Sequence, residues 1–291
     1  MASFWDNLLT RFKNGNAMIR LLFINVAVFF ILRILLVFFS LFKLEDAHFL
    51  SYLQMPSDLQ TLVMTPWTVL TYMFVHLDLM HILFNMLWLY FFGGMFLRWF
   101  SSKQLALLYV FGGLFGAIFF SLFYNLLPAF QGIDASLMGA SASILALGVG
   151  VAIYKPDEPV PLFIFGVIKL KWLAIAMVAM DFLNLNGDNA GGNLAHLGGA
   201  LAGLFFGLLL RKNPRFAFEN IFRSKPKMRV TYQRPKSEKA NRNADVDQAY
   251  RDRKKEDAEK LDAILDKIKK SGYDSLSTQE KQFMFESSRN N

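Results

Sequence analysis

The chain has 291 residues, of which 54% are hydrophobic, and this composition excludes an ordinary soluble domain. It contains no cysteine, which excludes disulfide bonds, a thiolate nucleophile and a cysteine-ligated metal. The net charge of +8 comes from the C-terminal part, because residues 211–291 hold 21 of the 31 Lys and Arg but 13 of the 23 Asp and Glu. A basic segment after a membrane span is typical of a cytoplasmic surface near anionic lipid, and no zinc-finger or aromatic-interleaved pattern indicates nucleic-acid binding.

Residues 1–17 lack the apolar core and cleavage site of a signal peptide. Hydrophobic residues recur there at helical spacing beside Arg11 and Lys13, which predicts a short cytoplasmic helix lying on the membrane surface. Six apolar segments follow, and we interpret each as a membrane span because a bilayer core needs about 20 apolar residues. Their approximate ranges are 18–42, 79–96, 104–126, 137–154, 172–185 and 193–210.

Between the first two spans lies a polar segment, residues 43–78, whose prolines and Trp67 indicate a large loop partly embedded in the membrane. Lys and Arg otherwise concentrate before the first span, between the second and third, between the fourth and fifth, and after the sixth. The remaining connections hold one basic residue, Lys43. Because basic residues stay in the cytoplasm, this distribution predicts six spans with both termini cytoplasmic. The six spans form one domain, residues 18–211.

The C-terminal part divides into a linker and a helical tail. Residues 212–246 are basic and contain few apolar side chains, which predicts a flexible linker. Residues 247–291 carry an amphipathic helix ended by Gly272 and a capping box, Ser277 with Glu280, that starts a second helix. We consider two roles equally for this cytoplasmic tail, regulation or docking of an unknown partner, and a solvated extension that aids solubility.

Candidate catalytic residues occur in three of the spans. His76 precedes the second span, and His81 and Asn85 share one face of it because they are four residues apart. Ser141 lies near the start of the fourth span, and His196 opens the sixth. Under the predicted topology these three spans begin on the non-cytoplasmic side, so the four span residues lie at one level of the membrane.

This set of side chains suits peptide hydrolysis. A serine hydroxyl needs a neighbouring base, and His196 can serve Ser141 in that way. The amide of Asn85, the ring of His81 and the backbone N–H of Ser141 can stabilise the oxyanion. Gly199, Gly203 and Gly207 form a stripe of small residues near the face of the sixth helix that carries His196, which indicates close packing against another helix.

In combination, several short motifs resemble the rhomboid family of intramembrane proteases over residues 15–210. They are Trp67 before the second span, H76-xxxx-H81-xxx-N85, G139-A-S141-A, and A195-H196-xx-G199-xxx-G203. The resemblance implies an all-α, polytopic six-transmembrane-helix bundle in the inner (plasma) membrane, a Ser141–His196 dyad and no metal or other cofactor. It also implies oxyanion roles for His81 and Asn85, and supporting roles for His76, Gly139, Gly199 and Gly203.

By the same resemblance, the substrates are single-span membrane proteins cleaved near the outer face through an acyl-enzyme. The sequence departs from the family pattern at four positions. Thr68 replaces an Arg after the tryptophan, Ala142 replaces a Gly after the nucleophile, and Leu97 replaces a Glu at the end of the second span. Leu145 replaces an aromatic residue that commonly stacks on the catalytic imidazole.

The same sequence is compatible with two other functions. A catalytically silent rhomboid-like protein that binds membrane clients is one alternative, and a transporter or channel built on polar spans is the other.

Arg33 and Asp181 lie inside spans, where structural pairing or snorkelling is the favoured interpretation. The alternative for Asp181 is to orient His196 as the acid of a triad, although the resemblance implies a dyad.

Overall fold

The computed structural model describes residues 4–44, 46–162, 166–212 and 240–289. The chain separates into two compact units, Met1–Ser224 and Lys225–Asn291. Most of the predicted linker, residues 213–239, lies outside the described residues. Its two ends differ from the prediction, because Lys212 belongs to the last helix of the first unit and the next helix already begins at Ala240.

The first two helices are α1 (Phe4–Asn14) and α2 (Ala17–Leu41). The Asn16 side chain caps α2 by accepting a hydrogen bond from the backbone N–H of Ile19 at 3.0 Å. Apolar side chains of α1 such as Trp5 and Leu9 are exposed, as expected for a helix on a membrane surface. Most side chains of α2 are not buried by the rest of the protein, so its apolar side chains can contact lipid.

The loop between the first two long helices is folded. It contains α3 (Asp46–Ser51), β1 (Met55–Pro56), α4 (Leu59–Met64), α5 (Thr68–Thr71) and a 3-10 turn at Tyr72–Phe74. Within the loop, Trp67 Nε1 donates to Tyr52 O and Thr71 Oγ1 donates to Leu53 O, each at 2.8 Å, and Tyr72 OH donates to Gly113 O outside the loop at 2.6 Å. The loop is therefore attached to the helices beneath it.

Helices α6 (Leu79–Phe96) and α7 (Ser102–Leu126) are capped by Asp78 and Ser101. After a 3-10 turn at Pro128–Phe130, strand β2 (Ser136–Leu137) pairs antiparallel with β1. The fourth apolar segment was expected to be helical from Leu137, and this is wrong. Leu137 lies in β2, and helix α8 begins four residues later because the backbone turns at Gly139.

Helix α8 (Ser141–Tyr154) is followed by a hairpin of β3 (Pro159–Leu162) and β4 (Gly166–Lys169). Helix α9 (Leu170–Leu183) and helix α10 (Ala190–Lys212) complete the first unit. Near the hairpin, Lys169 and Lys171 both pair with Asp157 at 3.0 and 2.9 Å, and their proximity lowers the pKa of that exposed carboxyl.

Among the described residues, four helices are long and apolar enough to cross a membrane: α2, α6, α7 and α10. Helices α8 and α9 have 14 residues each. At 1.5 Å per residue such a helix is about 21 Å long, shorter than a hydrocarbon core of about 30 Å. Four membrane-crossing helices are thus supported by length and composition, and six spans remain an interpretation.

The core of the first unit lies around α8, which has buried side chains on all of its faces. Helix α10 packs against α8 through glycine. A Cβ added at Gly199 would overlap the carbonyl oxygen of Ala142, and one at Gly203 would overlap that of Ala146. Only hydrogen atoms at these two positions allow the helix backbones to approach so closely.

The second unit contains α11 (Ala240–Ser271), a 3-10 turn at Tyr273–Ser275 and α12 (Thr278–Arg289). Gly272, with φ +79°, ends the first of these helices. The expected capping box is present, because Ser277 N donates to Glu280 at 2.7 Å and Glu280 N donates to Ser277 Oγ at 3.3 Å. Lys267 also pairs with Glu280 at 2.9 Å, and these contacts lower the pKa of Glu280 to about 2.

We expect Gly203→Ala to destabilise the first unit by about 1–3 kcal/mol, because the added methyl group forces α10 away from α8. The matched control is Gly94→Ala in α6, where an added Cβ meets nothing within 4 Å. That variant should be unchanged or slightly stabilised through its better helix propensity. Thermal unfolding in detergent measures both variants, and equal midpoints for the two would contradict the close α8–α10 contact.

Candidate active site

Ser141 is the first residue of α8, directly after a turn that only glycine adopts readily. Gly139 has φ +109°, a backbone conformation that side chains other than glycine's disfavour. A Cβ at this position would also lie 2.8 Å from ring atoms of His81. Gly139 therefore allows the chain to pass close to α6 and then start a helix with the serine at its tip.

His196, in the second turn of α10, reaches Ser141. Its Nε2 lies 2.6 Å from Ser141 Oγ. This is hydrogen-bonding distance, and the pair joins two elements that are 55 residues apart in sequence. Because Gly199 lies one turn further along α10, the close packing there sets the distance between the two side chains.

Asp181, near the C-terminal end of α9, contacts the other side of the same imidazole. Its Oδ1 lies 2.7 Å from His196 Nδ1. The favoured interpretation of Asp181, structural pairing, named no partner, whereas the alternative, orientation of His196, named the residue that Asp181 contacts. The available signal was an acidic residue inside an apolar helix, which costs about 2.5–3.5 kcal/mol on insertion scales unless it is paired or solvated.

His81 and Asn85 face the same region from α6. Asn85 is almost fully buried, and its side-chain amide donates a hydrogen bond to the backbone carbonyl of His81 at 3.0 Å. The His81 ring lies edge-on to that of His76, with 5.0 Å between the ring centroids. Both predicted oxyanion residues thus line the space beside Ser141.

His76, fully buried, fixes the turn that precedes Ser141. Its Nε2 accepts a hydrogen bond from the backbone N–H of Ala140 at 3.3 Å, and Nδ1 lies 3.4 Å from the Phe74 carbonyl. Accepting at Nε2 requires the neutral ring, with the proton on Nδ1. Burial, together with neighbouring His81, lowers the pKa of His76 to about 4, which favours that neutral form. The predicted supporting role of His76 therefore has a physical account.

Two loops that flank the site are tied to each other. Ser57 N donates to Ala135 O at 2.8 Å, Ser57 Oγ accepts from Ala135 N at 3.0 Å, and Asn125 Nδ2 donates to Ser57 O at 2.9 Å. Thr68, which departs from the family pattern, is fully buried and donates to Thr65 O at 2.6 Å. The loop is thus anchored through hydroxyl and amide groups of this chain.

An open cavity of about 740 Å³ surrounds the serine and the two imidazoles of His81 and His196. Most of its wall is apolar. The aromatic, methionine and aliphatic side chains in the wall are Phe84, Trp88, Leu137, Met138, Ile144, Leu145, Met177 and Met180. Among the described residues, no three His, Asp or Glu side chains form a cluster that could hold a metal ion.

Comparison with known proteins agrees with the motifs. A model of the rhomboid domain matches residues 64–213, more than half of the chain. The chain belongs to the rhomboid family. The rhomboid protease GlpG of Haemophilus influenzae is 29% identical to it over 150 residues, which cover 50% of this chain and 72% of the relative. Residues 244–290 match DUF6576, a family of unknown function. Family membership supports a multi-pass membrane protein and an intramembrane serine protease.

We expect His76→Leu to destabilise this rhomboid by about 1–3 kcal/mol, because the buried Ala140 N–H loses its acceptor. His76→Gln should cost less, since its amide oxygen can accept the same hydrogen bond. Thermal unfolding in detergent compares the two variants with the wild type. If leucine and glutamine were equally tolerated, the hydrogen bond to Ala140 would not be what holds the turn.

Proposed function

We propose that this protein is an active intramembrane serine endopeptidase in which Ser141 is the nucleophile and His196 the general base. The observation that carries the proposal is the 2.6 Å contact between Ser141 Oγ and His196 Nε2 at an open cavity within a membrane-embedded helix bundle. A hydroxyl paired with an imidazole nitrogen is the arrangement that activates serine for acyl transfer.

In the first step Ser141 Oγ attacks the carbonyl carbon of the scissile peptide bond, and its proton passes to His196 Nε2. The tetrahedral intermediate then collapses, the carbon–nitrogen bond breaks, and the same proton moves from Nε2 to the departing amine. An ester between the substrate carbonyl and Ser141 remains. A water molecule deprotonated by His196 attacks the carbonyl carbon of that ester and forms a second tetrahedral intermediate. This intermediate collapses, the bond between the carbon and Ser141 Oγ breaks, and His196 returns the proton to Ser141 as the carboxylic product leaves.

The oxyanion of each tetrahedral intermediate needs hydrogen-bond donors, and the start of α8 is suited to supply them. Helices α2, α4, α6 and α7 each begin with a side-chain cap, whereas α8 begins after Ala140 with none. The N–H groups of its first turn therefore remain available beside the nucleophile, at the positive end of the helix dipole. His81 and Asn85 complete the set from α6.

The cavity wall indicates the class of substrate. Its aromatic and methionine side chains suit an apolar polypeptide segment, while its opening admits the water that deacylation requires. The relative is named as a protease, which fits peptide hydrolysis at this site. We therefore propose single-span membrane proteins as substrates, cut near the outer face of the membrane.

For the topology we propose six spans, both termini in the cytoplasm and location in the inner (plasma) membrane. The helices α8 and α9 are short for a span, but α8 is enclosed by protein and need not match the lipid thickness by itself. The basic residues of the β3–β4 region and of the end of α10 then lie on the cytoplasmic side.

We expect Ser141→Ala and His196→Ala each to abolish cleavage of a single-span model substrate in liposomes, with a loss of at least about 10³-fold, because each removes a member of the catalytic pair. The matched control is Ser143→Ala. Ser143 lies two residues further along α8, buried, and its hydroxyl has no hydrogen-bond partner among the described residues. That variant should cleave as the wild type does.

A fluorophosphonate probe gives a readout that does not depend on the choice of substrate. Covalent labelling should require both Ser141 and His196 and tolerate Ser143→Ala. A folded wild type that neither cleaves nor labels would instead favour a client-binding rhomboid-like protein. Solute flux in liposomes that survives Ser141→Ala would favour a transporter.

Single cysteines test the topology, because the natural chain has none to interfere. We expect cysteines at exposed Lys103 and Lys212 to react with a membrane-impermeant maleimide only after intact cells are opened. Cysteines at exposed Gln131 and Asp188 should react before opening. Labelling of Gln131→Cys and Lys103→Cys from the same side would contradict the proposed spans.

A further inference from the structure

We propose that Asp181 is a positioning residue of the catalytic machinery, so that this rhomboid works with a Ser141–His196–Asp181 triad. The inference rests on the proposed protease function and adds a third residue to it. The two contacts of the imidazole carry the argument: Nε2 lies 2.6 Å from Ser141 Oγ, and Nδ1 lies 2.7 Å from Asp181 Oδ1.

These two contacts are consistent only with one tautomer of the neutral ring. A carboxylate oxygen can only accept, so His196 Nδ1 must carry the proton and donate it to Asp181. The other nitrogen, Nε2, is then free of a proton and can accept the hydrogen bond from the Ser141 hydroxyl. Asp181 therefore selects the tautomer that a general base needs.

The surroundings of Asp181 give it no competing partner. Among the described residues His196 is its one hydrogen-bond and ion-pair partner, and the carboxylate side chain is 15% exposed against 20% for the imidazole. A carboxylate sheltered in this way interacts strongly with a positive charge beside it. When Ser141 transfers its proton to Nε2, the resulting imidazolium lies against the carboxylate of Asp181, which stabilises the positive charge.

The contact with Asp181 also orients the imidazole ring, which the neighbouring cavity wall does not do. Leu145, one turn after Ser141, lines the same cavity as His196. A leucine side chain cannot hold the ring plane by stacking. The hydrogen bond that His196 Nδ1 donates to Asp181 holds the ring at its edge instead.

Helix α9 is held near α10 by a second contact besides the Asp181 carboxylate. Asn193 Nδ2 of α10 donates to the Asn184 carbonyl, just after α9, at 2.7 Å. The buried residues of α9, Leu170 and Ala174, lie in its first half and pack there. Replacement of the Asp181 carboxylate by an isosteric amide should therefore leave the helix in place and alter only the contact with His196.

The test compares Asp181→Asn with Asp188→Asn, in the full-length protein in liposomes with the model substrate. Asp188 is an exposed carboxylate in the α9–α10 connection and does not line the cavity. We expect Asp181→Asn to lower kcat by at least about 10²-fold with KM changed less than about 2-fold, because the amide can favour the wrong tautomer of His196. Asp188→Asn should match the wild type, and Asp181→Glu should recover part of the lost rate.

A second variant tests orientation by a different route. Asp181→Ala should also lower kcat, and Leu145→Tyr in that background should raise it again by stacking on the ring. Thermal unfolding and the rate of fluorophosphonate labelling accompany each variant, so a loss of fold is separated from a loss of catalysis.

The outcomes separate this inference from the proposed function. If Ser141→Ala and His196→Ala are inactive while Asp181→Asn keeps wild-type kcat and labelling rate, the protein is a dyad protease and the triad is overturned. If Asp181→Asn loses unfolding stability and activity together, and Asp181→Glu recovers neither, Asp181 is structural and the triad is again overturned. If the wild type neither cleaves nor labels, the proposed function itself fails.

Discussion

The approach of α10 to α8 is the constraint on which the site depends. Ser141 and His196 lie on different helices, and their 2.6 Å contact forms only because the backbones meet at Gly199 and Gly203 without side chains between them. In a membrane such contacts matter more than hydrophobicity, because lipid solvates apolar side chains as well as another helix does. Small residues thus determine where the polar ones meet.

Around this contact, polar groups are paired across elements that are far apart in sequence. His76 holds the backbone of Ala140, Ser57 joins the first loop to the segment before β2, and Asn193 joins α10 to the end of α9. Each bond satisfies a group that would be costly to leave unpaired away from water. The pairs also hold the wall of the cavity in position while its interior stays open to water and polypeptide.

In the proposed triad, Asp181 provides a local restraint on the base. Leu145 in the cavity wall cannot restrain the imidazole by stacking, and in the proposed triad a carboxylate from a neighbouring helix restrains it through Nδ1. Because that carboxylate belongs to α9, the orientation of the base depends on the position of this helix relative to α10. The carboxylate of Asp181 thus has a partner, His196, which is the general base in the proposed mechanism.

The sequence by itself determined the membrane class, the long apolar helices and the motifs on which membership of the rhomboid family rests, because hydropathy, helical spacing and short motifs are local properties. It also indicated Ser141, His196, His81 and Asn85 as one group, through spans that start on the same side. It misjudged the start of α8, because the turn at Gly139 depends on the adjacent ring of His81 and on the pairing of β1 with β2. Only the tertiary structure decided the partner of Asp181, since two residues 15 positions apart on separate helices meet through packing that local sequence does not encode.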